Sequence, residues 1–142
     1  MGNNPSVQRL NFEDIQDIIK NTGSYVLINT LSSDNQNCLL PTTIDFNQEE
    51  TVLNHLVTNN KEKHIIVYGK NTNDISVYNK YDQLVSLGFK SIYIYPGGMF
   101  EWLCLQDIYG NDLFPTTKKE LDILKFKPVS CMNKKNYYLT NN

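Results

Sequence analysis

The chain has 142 residues, a formal net charge of -2 and 40% hydrophobic residues, which suits one domain with one buried core. There is no basic stripe of the kind that marks a nucleic-acid or anionic-membrane surface, so neither partner is expected. No apolar run approaches the roughly 20 residues of a membrane span. Alanine is absent, Arg9 is the only arginine, and Asn, Ile, Lys and Tyr are abundant. Those abundant residues have AT-rich codons, which points to an AT-rich genome such as that of a protist or a large DNA virus.

The N-terminus lacks the basic and apolar regions of a signal peptide. Gly2 and Ser6 meet the loose myristoylation pattern, but Pro5 sits inside it and a chance match is the reading taken here. Three cysteines, Cys38, Cys104 and Cys131, form no C-x-x-C pair. Free thiols in a reducing intracellular compartment are expected, namely cytoplasm, or host cytoplasm or virion if the source is viral.

The first predicted helix spans Phe12 to Lys20, with Asn11 and Asp14 as a relaxed capping box and Phe12, Ile15, Ile18 and Ile19 on one face. Asn21-Thr22-Gly23 closes it. Tyr25 to Ile28 reads as a buried parallel strand. Cys38-Leu39-Leu40 is a short apolar stretch, read as strand and stopped by Pro41. Asn47 and Glu50 predict a second helix running to about Val57. His64 to Tyr68 is another buried strand. Gly69-Lys70-Asn71-Thr72-Asn73 is a loop of strong turn formers. A helix follows from about Asp74 to Leu87, with Val77, Tyr81, Leu84 and Val85 inward, and Gly88 ends it. Ile92 to Tyr95 is the next strand, and after Pro96-Gly97-Gly98 a helix runs from Met99 to about Tyr109. Strands alternating with helices across short loops predict a three-layer α/β/α fold with a mostly parallel central sheet. The expected domain is 6–116, followed by an extension over 117–142 that is ordered in part at most.

From His64 to Trp102 the order is a strand ending in V-Y-G, a polar loop, a helix ending in Leu87-Gly88-Phe89, a strand, then Gly97-Gly98 and a helix reaching Trp102. This resembles the second half of a rhodanese-like domain. More loosely, Val26 to Asn29 and Cys38 to Pro41 are similar to its first half, so the resemblance covers roughly Ser6 to Phe114. It implies a loop after the strand ending in V-Y-G that carries a catalytic cysteine, with backbone N–H groups and a helix N-terminus lowering the thiol pKa. Here Gly69 stands at that position. The family's loop arginine is matched by Asp74, which either opposes an anion or caps the following helix. The segment from Gly69 to Leu87 is about two residues longer than the sulfurtransferase pattern, in the direction of phosphatase relatives with larger pockets.

The remaining candidates have plain structural readings. Lys70 reads as a solvated lysine, Asn71, Thr72 and Asn73 as turn residues, and Cys38 and Cys104 as core cysteines. Asp107 and Tyr109 read as a helix end with Gly110 as its cap. His55 and His64 have no partner at catalytic or metal-ligand spacing, and no phosphate loop, dinucleotide fingerprint or zinc pattern occurs. The expectation is therefore no catalytic residue, no metal and no cofactor. Gly69, Lys70, Asn71, Thr72, Asn73 and Asp74 form a vestigial loop on a module that binds a protein partner. The alternative is a sulfurtransferase or phosphatase-like enzyme with a non-standard nucleophile, for which Cys104 is the candidate. Lys134, Lys135, Tyr137 and Tyr138 follow Pro128 without a periodic apolar face. Truncation after Phe126 should therefore shift the melting temperature by only a few degrees, whereas a drop of about 10 °C would mean that the removed tail belongs to the core.

Overall fold

The computed structural model describes residues 7–21 and 23–132. Gly2, Pro5 and Ser6, and the tail residues Lys134, Lys135, Tyr137 and Tyr138, lie outside them. The elements are β1 (Gln8–Arg9), α1 (Phe12–Lys20), β2 (Tyr25–Asn29), α2 (Glu49–Asn59), β3 (His64–Tyr68), α3 (Ile75–Ser86), β4 (Ile92–Tyr95) and α4 (Gly98–Tyr109). Three 3-10 turns lie at Ser33–Asn35, Phe46–Gln48 and Ile123–Phe126. The strands form one sheet in the order β1-β4-β3-β2, all parallel. The expected α/β/α architecture is thus the observed one, and the three long strands lie side by side in it.

Side chains alternate across the sheet because successive residues of a strand point to opposite faces. On one face Leu27, Ile66, Tyr68 and Tyr95 pack with Ile15 and Ile18 of α1 and Met99, Trp102 and Leu103 of α4. On the other face Ile28, Ile65, Val67, Ile92 and Ile94 pack with Leu53 and Leu56 of α2 and Val77 and Leu84 of α3. Both faces are covered, which is why the strands read as continuous apolar runs.

Local signals explain most element ends. Asn11 accepts from the Asp14 N–H at 3.0 Å while Asp14 Oδ2 accepts from the Asn11 N–H at 3.0 Å, a complete capping box. At the end of α3, Gly88 has φ 97°, its N–H donates to Val85 O, and the Phe89 N–H donates to Leu84 O. That pairing satisfies two helix-end carbonyls and needs a residue free to adopt positive φ.

Some expectations change. The Asn47 signal does not start α2. Asp45 accepts from the Asn47 N–H and caps a 3-10 turn, and the α-helix begins two residues later at Glu49. Cys38-Leu39-Leu40 is buried without being a strand; sheet-like pairing in this region is a single bridge between Leu27 and Thr43. Val85 is 49% exposed, because the helix turns it away from the face that Val77 and Leu84 bury. α4 starts at Gly98, one residue earlier than its apolar pattern suggests.

Beyond residue 116 the chain continues across the α1/α4 side. The Thr117 N–H donates to Leu39 O at 2.8 Å, and Phe126 is 1% exposed within the same cluster as Trp102 and Phe114. Leu121, Ile123, Leu124, Phe126 and Val129 follow no helical or strand period, so the sequence does not single out Phe126 as the one that is fully buried. Phe126→Ala should cost about 3–5 kcal/mol, as truncation of a buried aromatic commonly does, measured by urea denaturation. A loss below about 1 kcal/mol would show that the 123–126 turn contributes little to the fold.

Candidate functional site

The carboxyl end of β3 leads into the loop Gly69–Asp74, in the middle of the sheet, where a parallel α/β fold presents its strand ends to ligands. Tyr68 is wholly buried beneath it. The Tyr68 hydroxyl accepts from the Leu40 N–H at 3.1 Å and shares a 2.7 Å hydrogen bond with Thr43 Oγ1. Burial pushes the Tyr68 phenol well above its ordinary range, so it stays neutral and serves as a fixed support.

Two sets of bonds hold the loop backbone. From α4, the Met99 N–H donates to Gly69 O at 3.0 Å and the Phe100 N–H to Lys70 O at 2.8 Å. These are helix N-terminal donors that would otherwise lack partners. The approach requires Gly98, which has φ 62° and where a Cβ would come within 2.6 Å of Gly69 O and 2.8 Å of Lys70 C. From the C-terminal segment, Phe126 O accepts from Asn71 Nδ2 at 2.8 Å, while Asn71 Oδ1 accepts from the Asn73 N–H at 2.9 Å. Asn71 is therefore buried and fully engaged, while Thr72 and Asn73 are exposed.

Asp74 is the N-cap of α3. Its Oδ1 accepts from the Ser76 N–H at 3.1 Å and lies 2.5 Å from Ser76 Oγ, which is itself 2.8 Å from Thr30 Oγ1. Its Oδ2 accepts from the Lys70 N–H at 2.8 Å. The carboxylate thus occupies both the helix N-terminus and a loop N–H, the groups that would attract an external anion. Of the two sequence readings of Asp74, the helix cap is the one seen in the structure.

Gly69 is buried against that carboxylate. A Cβ at Gly69 would overlap Asp74 Oδ2, and would stand 2.6 Å from Thr30 Oγ1 and 2.8 Å from Val77 Cγ2. The space beside Gly69 is filled by the Asp74, Thr30 and Val77 side chains. Two cavities flank the loop. One of 610 Å³ runs between α2 and α3 past Thr30 and Ser76, and one of 270 Å³ lies between the loop and Lys127 and Val129.

The other candidates stand away from this loop. Cys104 lies about one helical turn beyond Phe100 on α4 and lines neither cavity. It is half-buried, less enclosed than a core cysteine. Desolvation, then the Asp107 and Glu101 carboxylates, push its thiol pKa up. Cys38 is buried, and burial raises its thiol pKa against a smaller opposing effect of the Thr116 hydrogen bond. Neither is an activated thiolate. His64 begins β3 at the opposite end of the strand and pairs with the Tyr93 hydroxyl at 3.0 Å. His55 bonds Asn59 one turn along α2. Asp107 and Tyr109 end α4, with Gly110 at φ 97° as its cap. Among the described residues no three His, Cys, Asp or Glu side chains gather as metal ligands, and no helix is long and apolar enough to cross a membrane.

Residues 23–104 match the family model for the rhodanese-like domain, more than half of the chain. The chain belongs to the rhodanese-like domain family. Solved structures agree in fold. A single-domain sulfurtransferase of Saccharomyces cerevisiae, RDL2, is 20% identical with a TM-score of 0.55, covering 78% of this chain and 98% of its own. The rhodanese-like domain of the Anabaena protein Alr3790 is 17% identical, TM-score 0.55, covering 89% and 88%. A thiosulfate sulfurtransferase of Pseudomonas aeruginosa is 17% identical, TM-score 0.55, covering 69% of this chain and 19% of its own. No curated protein matches the sequence.

Gly69 and Gly98 are glycines at close approaches around the loop, and substitution should separate them from a glycine in open space. Gly98→Ala should destabilise by about 3 kcal/mol and Gly69→Ala by about 2 kcal/mol, from strain and overpacking. Gly23→Ala, where a Cβ meets nothing within 4 Å, should cost about 1 kcal/mol from its positive φ alone. Equal urea midpoints for the three variants would contradict the packing described.

Proposed function

We propose that this protein is a non-catalytic rhodanese homology domain, a protein-binding or regulatory module of a reducing intracellular compartment. The observation that carries this reading is the Asp74 carboxylate beside Gly69. Rhodanese chemistry places a thiolate at the head of this loop and stabilises it with loop N–H groups and a helix N-terminus. In this chain Gly69 provides no side chain there, and Asp74 takes both the space and the donors. A negative charge already bonded to the Lys70 and Ser76 N–H groups disfavours a second anion on those same donors at the head of the loop. Gly69, Lys70, Asn71, Thr72, Asn73 and Asp74 are on this view a vestigial active-site loop. The competing sulfurtransferase or phosphatase-like reading requires another nucleophile, and the thiols of Cys38 and Cys104 are both shifted away from thiolate.

Thiocyanate formation from thiosulfate and cyanide tests the reading. The wild-type protein and Cys104→Ser should both remain at the no-enzyme rate. Gly69→Cys alone should stay within a few-fold of that rate. Gly69→Cys combined with Asp74→Ala should exceed the single variant, because freeing misdirected donors is commonly worth a factor of ~100. Wild-type turnover abolished by Cys104→Ser would identify an enzyme with Cys104 as its nucleophile. Efficient turnover by Gly69→Cys alone would show that Asp74 does not obstruct the loop.

A further inference from the structure

The smaller cavity at the loop has the features of a preformed docking cleft. Its walls are the loop with Lys70 and Asp74, Ile75 at the start of α3, and Lys127 and Val129 of the C-terminal segment. Ile75 is 72% exposed and Val129 77% exposed. Ile75 lies two positions from Val77, hence about 200° around the helix from the face that α3 buries. Ile75 and Val129 line the same cleft, so an apolar group seated there would be removed from water by both.

The loop wall and the base of the C-terminal wall are joined by one hydrogen bond. Phe126 is sunk in the core just before Lys127, and its carbonyl accepts from the buried Asn71 side chain of the loop. A partner would therefore meet a cleft that needs little ordering on binding.

Charge selects the partner. Lys125, nearby in sequence, is paired with Glu120 at 2.6 Å. Lys70 and Lys127 have no ion pair among the described residues. Asp74 is the one carboxylate of the cleft, and both its oxygens accept inward bonds. Two ammonium groups against one carboxylate leave the cleft positive on a chain whose formal net charge is -2. Local charge opposite to the global sign steers a complementary segment to one place.

We propose that this cleft docks an acidic segment of a partner protein that carries an aliphatic or aromatic side chain beside its carboxylates. The hydrocarbon would lie between Ile75 and Val129, and the carboxylates against Lys70 and Lys127. This rests on the protein-binding reading above and names the chemistry of the partner.

The test is selection of random peptides of about 12 residues on the full chain, then anisotropy titration of the synthetic consensus peptide. The consensus should pair Asp or Glu with Leu, Ile or Phe. Its affinity should fall about tenfold or more in Lys127→Glu and in Val129→Asp, and should weaken as salt rises from about 50 to 500 mM. Both substitutions are at exposed positions, and unchanged melting temperatures would separate lost docking from lost fold. A consensus without acidic residues, binding indifferent to both substitutions, or no enriched peptide would overturn the proposal. Thiocyanate formation by the same wild-type preparation would refute the non-catalytic reading while leaving a positive docking result in place.

Discussion

The carboxylate of Asp74 is the group on which the loop depends. It caps α3 through the Ser76 N–H and reaches back to the Lys70 N–H, so one side chain ties a helix start to the loop that precedes it. An N-cap bond is commonly worth about 1 kcal/mol, and a charged acceptor at the positive end of a helix adds to it. The arrangement requires Gly69, because any Cβ there would overlap the carboxylate. Gly69 and Asp74 are thus two halves of one constraint, in which absence of a side chain makes room for a charge.

That constraint is reinforced from two directions. α4 supplies N–H donors to Gly69 O and Lys70 O, and Gly98 permits the approach. The C-terminal segment supplies the Phe126 carbonyl to Asn71, with the Phe126 ring buried under the same sheet face. Backbone and carboxamide bonds thus hold the loop at Gly69, Lys70 and Asn71.

The thiols show the same division between scaffold and chemistry. Cys38 is buried beside the chain that leads to Pro41, and Cys104 is half-buried near carboxylates. Desolvation and negative neighbours both disfavour a thiolate, the reverse of the electropositive setting that reactive cysteines occupy. Family membership places this chain among folds that include sulfurtransferases. What a rhodanese domain does depends on the residues at its loop, and fold alone does not supply them.

Much of this protein was legible in one dimension. Tyr25–Ile28, His64–Tyr68 and Ile92–Tyr95 read as buried strands because both sheet faces are covered, and Asn11, Asp14 and Gly88 marked helix ends because caps are made within a few residues. The Leu87-Gly88-Phe89 and Gly97-Gly98 signals, in order after the strand that ends at Gly69, were enough to point to the family and to the loop. Only the tertiary structure decided where the Asp74 carboxylate turns, that Asn71 bonds a carbonyl 55 residues away, and that Phe126 belongs to the core. It also moved the start of α2 past the Asn47 signal, where Asp45 caps a separate turn. Periodicity and capping are short-range and recur in sequence, so they can be read from it. The filling of a space beside a glycine, and the burial of Phe126 rather than its apolar neighbours Leu121, Leu124 and Val129, arise from segments brought together by folding and leave no repeating pattern behind.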